Sequence, residues 1–127
     1  MFMALYTIGY AASDSQQELT RLMADPQMLL IDIRLVPSSR WHLAWRKAAL
    51  SAQCASRYLH LPGLGNLHYK HPEKGIELAS PEMPLQHLRQ LLESGHSLVL
   101  LCACAQYQQC HRRTVYDLLN SPSCAPQ

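Results

Sequence analysis

A chain of 127 residues with 48% hydrophobic and 16% charged residues is long enough for one domain that buries roughly two-thirds of its unfolded surface, which excludes a disordered chain. A net charge of +2 is too mild to argue for nonspecific nucleic-acid binding, although a local basic patch stays open. Five cysteines, with Cys102, Cys104 and Cys110 crowded together, do not lay out a stapled secreted framework. The start has no basic segment of a signal peptide, and no apolar run approaches the ~20 residues of a membrane span. A reducing, cytoplasmic setting with free thiols is expected.

In chain order, Leu5 to Tyr10 is β-rich and stops at Gly9, a first strand. Ser15-Gln16-Gln17-Glu18 has the form of a capping box, and Leu19, Leu22 and Met23 follow at helical spacing toward Asp25-Pro26. Met28 to Arg34 is a second strand whose nearly unbroken apolar run predicts burial on both faces, interrupted by Asp32. After Pro37, Ser38 or Ser39 offers a cap for a helix from about Arg40 to Gln53. Arg57 to Leu61 reads as a third strand, closed by Pro62-Gly63 and Gly65-Asn66. Leu67 to Ala79 has no period of either kind and is expected to be a mobile excursion near the site. Ser80-Pro81 opens a helix with the stripe Leu85, Leu88, Leu91 and Leu92, stopped at Gly95. Ser97 to Cys102 is the fourth strand, Cys110 onward the last helix, and 121–127 a frayed tail after a single domain of 1–120.

Strands alternating with helices predict one doubly wound α/β domain: about four parallel strands with helices on both faces, a Rossmann-like three-layer arrangement. Such a sheet delivers its chemistry to the edge where the strands end. The residues delivered there are Gly9 and Tyr10, Asp32 and Arg34, His60, and Cys102 with the loop to Cys110. Three cysteines, one histidine and two arginines fall between Cys102 and Arg113.

In the last helix, His111 shares a face with Val115 and Leu118, so its ring is expected to point inward at the helix mouth. The helix N-terminus favours an anion, and Arg34, Arg40 and Arg112 add charge-assisted contacts. The same field favours a thiolate, which makes Cys102 or Cys110 a candidate nucleophile with His111 as base. Against this stands the plain reading that the cysteines are apolar filler, that His111 is a cap and that Asp32 with Arg34 is a buried ion pair fixing the strand end. His42, His68, His71, His87 and His96 are expected at the surface.

Cys102, Cys104, Cys110 and His111 also supply the donor types of a zinc site, but C-x-C-x5-C-H lacks paired C-x2-C knuckles, so no metal ligand is assigned and no cofactor is expected. The glycine-rich phosphate loops and the C-x5-R spacing of cysteine phosphatases are absent.

Thr7-Ile8-Gly9-Tyr10, Asp32-Ile33-Arg34, Pro37-Ser38-Ser39-Arg40, Leu61-Pro62 with Leu64-Gly65, and C-A-x7-H-R from Cys102 to Arg112 resemble the domain-of-unknown-function family numbered 488, from about Thr7 to Leu119. The resemblance implies a small α/β domain with no established activity and with its motif residues gathered at one end of the sheet. Where that family usually has Glu two positions after the first Cys, this chain has Cys104. Asn66 replaces a second Gly, and the excursion after Leu67 is short. A looser likeness to rhodanese-type domains rests on the Leu30-Ile31-Asp32-Ile33-Arg34 strand and a later strand ending in Cys; it is analogy only.

The functional expectation is an anion or nucleotide-like ligand pocket with a Cys–His site. A noncatalytic module binding nucleic acid or protein, a Cys/His metal site, and a dimerising domain with filler thiols are the alternatives. Whether the chain is an enzyme, and its oligomeric state, are left open by the sequence.

Overall fold

An apolar run with no polar residue on alternate positions needs cover on both faces, and such runs build the centre of this protein. The computed structural model describes residues 4–37, 42–103 and 110–120. Strands Leu5–Gly9 (β1), Met28–Asp32 (β2), Tyr58–His60 (β3) and Ser97–Cys102 (β4) form one four-stranded sheet in the order β1-β4-β2-β3, and every pairing is parallel. Helices Ser15–Met23 (α1), Lys47–Cys54 (α2), Glu82–Glu93 (α3) and His111–Asn120 (α4) follow the strands in turn. The doubly wound α/β expectation holds.

The period-2 alternation of side chains sorts the core into two layers. Leu19 and Leu22 of α1, Leu50 and Cys54 of α2, and Trp45 meet Ile8, Met28, Leu30, Val99 and Leu101 on one face. Leu85 and Leu88 of α3 with Val115 and Leu119 of α4 meet Leu5, Leu29, Ile31, Leu98, Leu100 and Cys102 on the other. β4 lies between β1 and β2, and all six of its residues are buried. Among the described residues, no helix is long and apolar enough to cross a membrane.

Several boundaries differ from the sequence reading. Ser15 opens α1 rather than capping it. Asp14 is the N-cap, and the Ser15 hydroxyl donates to the Tyr10 carbonyl at 3.0 Å, tying the helix start to the end of β1. The helix expected over 40–53 is a 3-10 turn, Leu43–Trp45, and then α2. Arg46 between them is extended (φ −74°, ψ 152°). The interruption lets Trp45 reach the core, where it stacks on Tyr10 at 5.4 Å. Pro81 is the N-cap of α3 and not its first residue. Gly95 does stop that helix, with a φ of 99° that a side chain would strain.

The excursion after Leu67 is closed by its own hydrogen bonds. Asn66 Oδ1 accepts from the backbone N–H of His68 and of Glu77, both at 3.0 Å, and an isolated bridge joins Asn66 to Leu78. The asparagine thus does work that glycine could not. Gly65 beside it has a different reason: a Cβ there would stand 2.6 Å from the backbone of Leu35. The turn Pro62–Leu64, with Leu64 fully buried, therefore lies directly against the chain leaving β2 and holds the residue after Arg34 in place. The C-terminal tail and Ser38, Ser39, Arg40, Cys104 and Cys124 lie outside the described residues.

Candidate functional site

The parallel register sets one residue of each strand at the same edge: Gly9 beside Cys102, Asp32 beside Leu101, and Asp32 beside His60. Just past that edge the chains stay in contact. Tyr10 N–H donates to the Cys102 carbonyl at 2.9 Å, and Ile33 N–H to the Leu101 carbonyl at 3.1 Å. Two polar clusters form there, one on each face of the sheet.

The first cluster lies on the α3/α4 face, at the start of α4. Cys110 immediately precedes the helix. Its carbonyl accepts from Arg113 N–H at 3.0 Å, and its sulfur accepts from Arg112 N–H at 3.5 Å. The thiol takes the capping place that a serine or aspartate oxygen usually fills. Arg112 is buried, and its Nε donates to the same sulfur at 3.4 Å while Nη1 donates to Thr7 Oγ1 at 3.2 Å. His111 completes the set. Its Nε2 lies 2.9 Å from the Ile33 carbonyl, which can only accept, so Nε2 carries the proton. Nδ1, left with its lone pair, faces the Cys110 sulfur at 3.8 Å. Burial pushes the His111 pKa below its ordinary value, with the Arg112 charge adding to this against the Ile33 hydrogen bond and Asp32, so the ring is neutral near pH 7.

Cys102 reaches the cluster from the end of β4. Its sulfur touches that of Cys110, while the two Cα atoms are 8.0 Å apart. A disulfide ordinarily needs Cα atoms within about 7 Å, so the backbone here suits two facing thiols better than a bond between them. The sulfurs of Cys102 and Cys110 and a ring nitrogen of His111 all lie within 4.8 Å of one another.

The second cluster lies on the α1/α2 face. Asp32, fully buried, accepts from Arg34 Nε at 2.8 Å, Arg34 Nη2 at 2.6 Å, Arg34 N–H at 3.1 Å and the Tyr58 hydroxyl at 2.5 Å. Residues 32 and 34 share a side because side chains along the extended chain alternate. Burial, helped by the Asp32 charge, pushes the Tyr58 hydroxyl far above its usual ionisation range, so it stays a donor. The Arg34 guanidinium lies 5.4 Å from the centre of the Tyr10 ring, and His42 meets that ring edge-on. His60 Nε2 is 2.8 Å from the Arg34 carbonyl. The two clusters touch through the backbone: Ile33, whose carbonyl holds His111, is the residue between Asp32 and Arg34.

Of the residues singled out from sequence, Gly9, Tyr10, Asp32, Arg34, Cys102, Cys110, His111 and Arg112 all stand at this edge, while Arg40 lies outside the described residues. The arginines are more committed than expected. Arg34 gives two of its side-chain nitrogens to Asp32, and Nη1 is buried with no hydrogen-bond partner among the described residues. Arg112 faces the sheet: the inward stripe of α4 is Arg112, Val115 and Leu119, with Leu118 only partly covered. Thr7 and Tyr58 were missed. For Tyr58 a signal existed, since a residue two before His60 on β3 points to the same side as Asp32 on the next strand. Thr7 carried none.

Comparison with curated proteins and with solved structures returns no match. The family described as domain of unknown function DUF488 matches over residues 15–119, which includes Asp32, Arg34, Cys102, Cys110, His111 and Arg112. The chain belongs to the DUF488 family.

Proposed function

We propose that the protein is a thiol-dependent enzyme in which Cys110 attacks a small anionic substrate, phosphorylated or nucleotide-like, with His111 as the base. The observation that carries this reading is the seat of the Cys110 sulfur. It lies at the mouth of α4, 3.8 Å from the lone pair of a neutral imidazole and within reach of two N–H donors of Arg112. Donors and a helix N-terminus favour negative charge on sulfur, and a neutral ring with a fixed tautomer is ready to take its proton.

The chemistry is a displacement. The sulfur forms a bond to the electrophilic atom as the bond to the leaving group breaks. The thiol proton passes to His111 Nδ1 and from there to the leaving group. Water, giving its proton to the same nitrogen, then cleaves the covalent intermediate and restores the thiol. The negative part of the substrate is drawn to the positive N-terminal end of α4 and, across the sheet edge, to Arg34 Nη1, which has no hydrogen-bond partner among the described residues.

Mapping of iodoacetamide adducts against pH tests this. Cys110 is expected to label with a midpoint below about 8.5, the value of an ordinary thiol. Cys54, whose thiol burial pushes up, is expected to lag behind it. Equal labelling of the two, with midpoints at or above that value, removes the nucleophile.

A further inference from the structure

The three atoms that the proposed reaction uses have a second chemistry. Two sulfurs and one imidazole nitrogen form a soft-to-borderline donor set, the kind that Zn²⁺ selects over Mg²⁺ or Ca²⁺. We infer that Cys102, Cys110 and His111 form a binding site for a thiophilic divalent cation of the Zn²⁺ class, whose occupancy holds the thiols out of reaction.

The distances support this. With metal–sulfur bonds of about 2.3 Å and metal–nitrogen bonds of about 2.0 Å, a tetrahedral ion sets its ligand atoms about 3.5–3.8 Å apart. Cys110 Sγ and His111 Nδ1 are already 3.8 Å apart, and all three candidate ligand atoms fall within 4.8 Å of one another; the two touching sulfurs must part to take the ion between them. A Cα separation of 8.0 Å, too wide for a disulfide, lets the two side chains reach a common point from opposite sides.

The surroundings give a second, independent reason. A metal-bound histidine characteristically donates its other ring N–H to a carbonyl or carboxylate, which fixes the tautomer and aims the lone pair. His111 has this arrangement, with Nε2 on the Ile33 carbonyl and Nδ1 toward the sulfurs. The N–H groups of Arg112 on Cys110 Sγ support a thiolate ligand in the same way. Two thiolates neutralise the ion, so the buried Arg112 charge meets a neutral centre rather than a dication. Among the described residues no fourth Cys, His, Asp or Glu joins the group.

The blocking effect rests on the reading of Cys110 as a nucleophile; the binding does not. An ion in this site takes both lone pairs that the displacement needs. The test uses the full chain, reduced and freed of metal, titrated with Zn²⁺ by calorimetry and with Co²⁺ by its thiolate charge-transfer absorption. The inference expects one ion per chain, a cobalt spectrum showing sulfur ligation, and loss of iodoacetamide labelling at Cys110 on adding one equivalent of Zn²⁺. Cys110→Ser and His111→Gln are each expected to weaken binding at least tenfold, with Cys54→Ser unchanged. Cys102 is in the core, so Cys102→Ser is read only alongside a circular dichroism spectrum, and the partly exposed His111 provides the decisive variant. Absence of stoichiometric binding, or affinity that survives in both Cys110→Ser and His111→Gln, overturns the site. Tight Zn²⁺ binding by a chain whose metal-free thiols are unreactive would refute the enzyme reading and leave this site standing. Labelling that persists with Zn²⁺ bound would overturn the blocking role.

Discussion

Asp32→Ala is expected to destabilise the protein by about 3–5 kcal/mol, the usual cost of removing one partner of a buried ion pair. The carboxylate is fully buried and takes four hydrogen bonds, three from Arg34 and one from Tyr58. Without it, a guanidinium that is 5% exposed keeps its charge with no counterion, and Tyr58 loses its acceptor. The reverse experiment differs. Replacing both members by apolar residues of similar size costs far less, because no charge is then left behind. The exposed pair Glu18–Arg21 is the internal comparison: its side chains are solvated, and its removal is expected to be nearly silent. Urea unfolding of Asp32→Ala and Glu18→Ala measures both, and a small loss for Asp32→Ala would mean that the second cluster is not assembled as described.

The second large effect is chemical. His111→Gln is expected to lower the rate of Cys110 labelling at pH 7 at least tenfold, since losing one pKa unit of support for the thiolate is about a tenfold loss of reactive sulfur. Turnover, once a substrate is identified, is expected to fall further, by about 10²–10⁴-fold, because the base acts in the transition state itself. The variant leaves the helix cap in place, as Cys110 still receives the Arg112 N–H. A fall in labelling with unchanged thermal stability therefore separates the role of the ring as a base from a purely structural one. A labelling rate equal to that of the parent chain would assign the sulfur's reactivity to Arg112 and the helix end alone.

Much of the fold was legible because the strands are short apolar runs with turn residues at their ends. Met28 to Ile33 and Ser97 to Leu101 have no alternation, and only a sheet covered on both faces tolerates that. Once the strands are parallel, Gly9, Asp32, His60 and Cys102 share an edge by topology alone. This is why a site scattered over the chain was readable before its geometry.

What escaped has physical causes. Arg46 breaks the helix expected after Pro37, and the break goes with the burial of Trp45 against Tyr10, a partner far earlier in the chain that helical periodicity does not show. Arg112 was expected to hold an anion at the helix mouth, yet it is buried, and the Cys110 sulfur and Thr7 give its donors partners. A guanidinium can enter a core only where such acceptors wait, and an acceptor more than a hundred residues away leaves no trace in the helical pattern. For Tyr58 the strand alternation held a signal, but its phenol matters only because β3 pairs with β2 in the register that sets Leu30 beside it. The plain reading of Asp32 and Arg34 as an ion pair fixing a strand end is what the geometry shows for most of their atoms, with Arg34 Nη1 the exception.

The most direct measurement is the nitrogen NMR spectrum of the His111 ring through a pH titration. A cluster built as described predicts the Nε2–H tautomer, a pKa below the ordinary histidine value of about 6.5, and a shift at Nδ1 when Cys110 is alkylated. An Nδ1–H tautomer, or a ring that titrates above that value and ignores the state of Cys110, would contradict it.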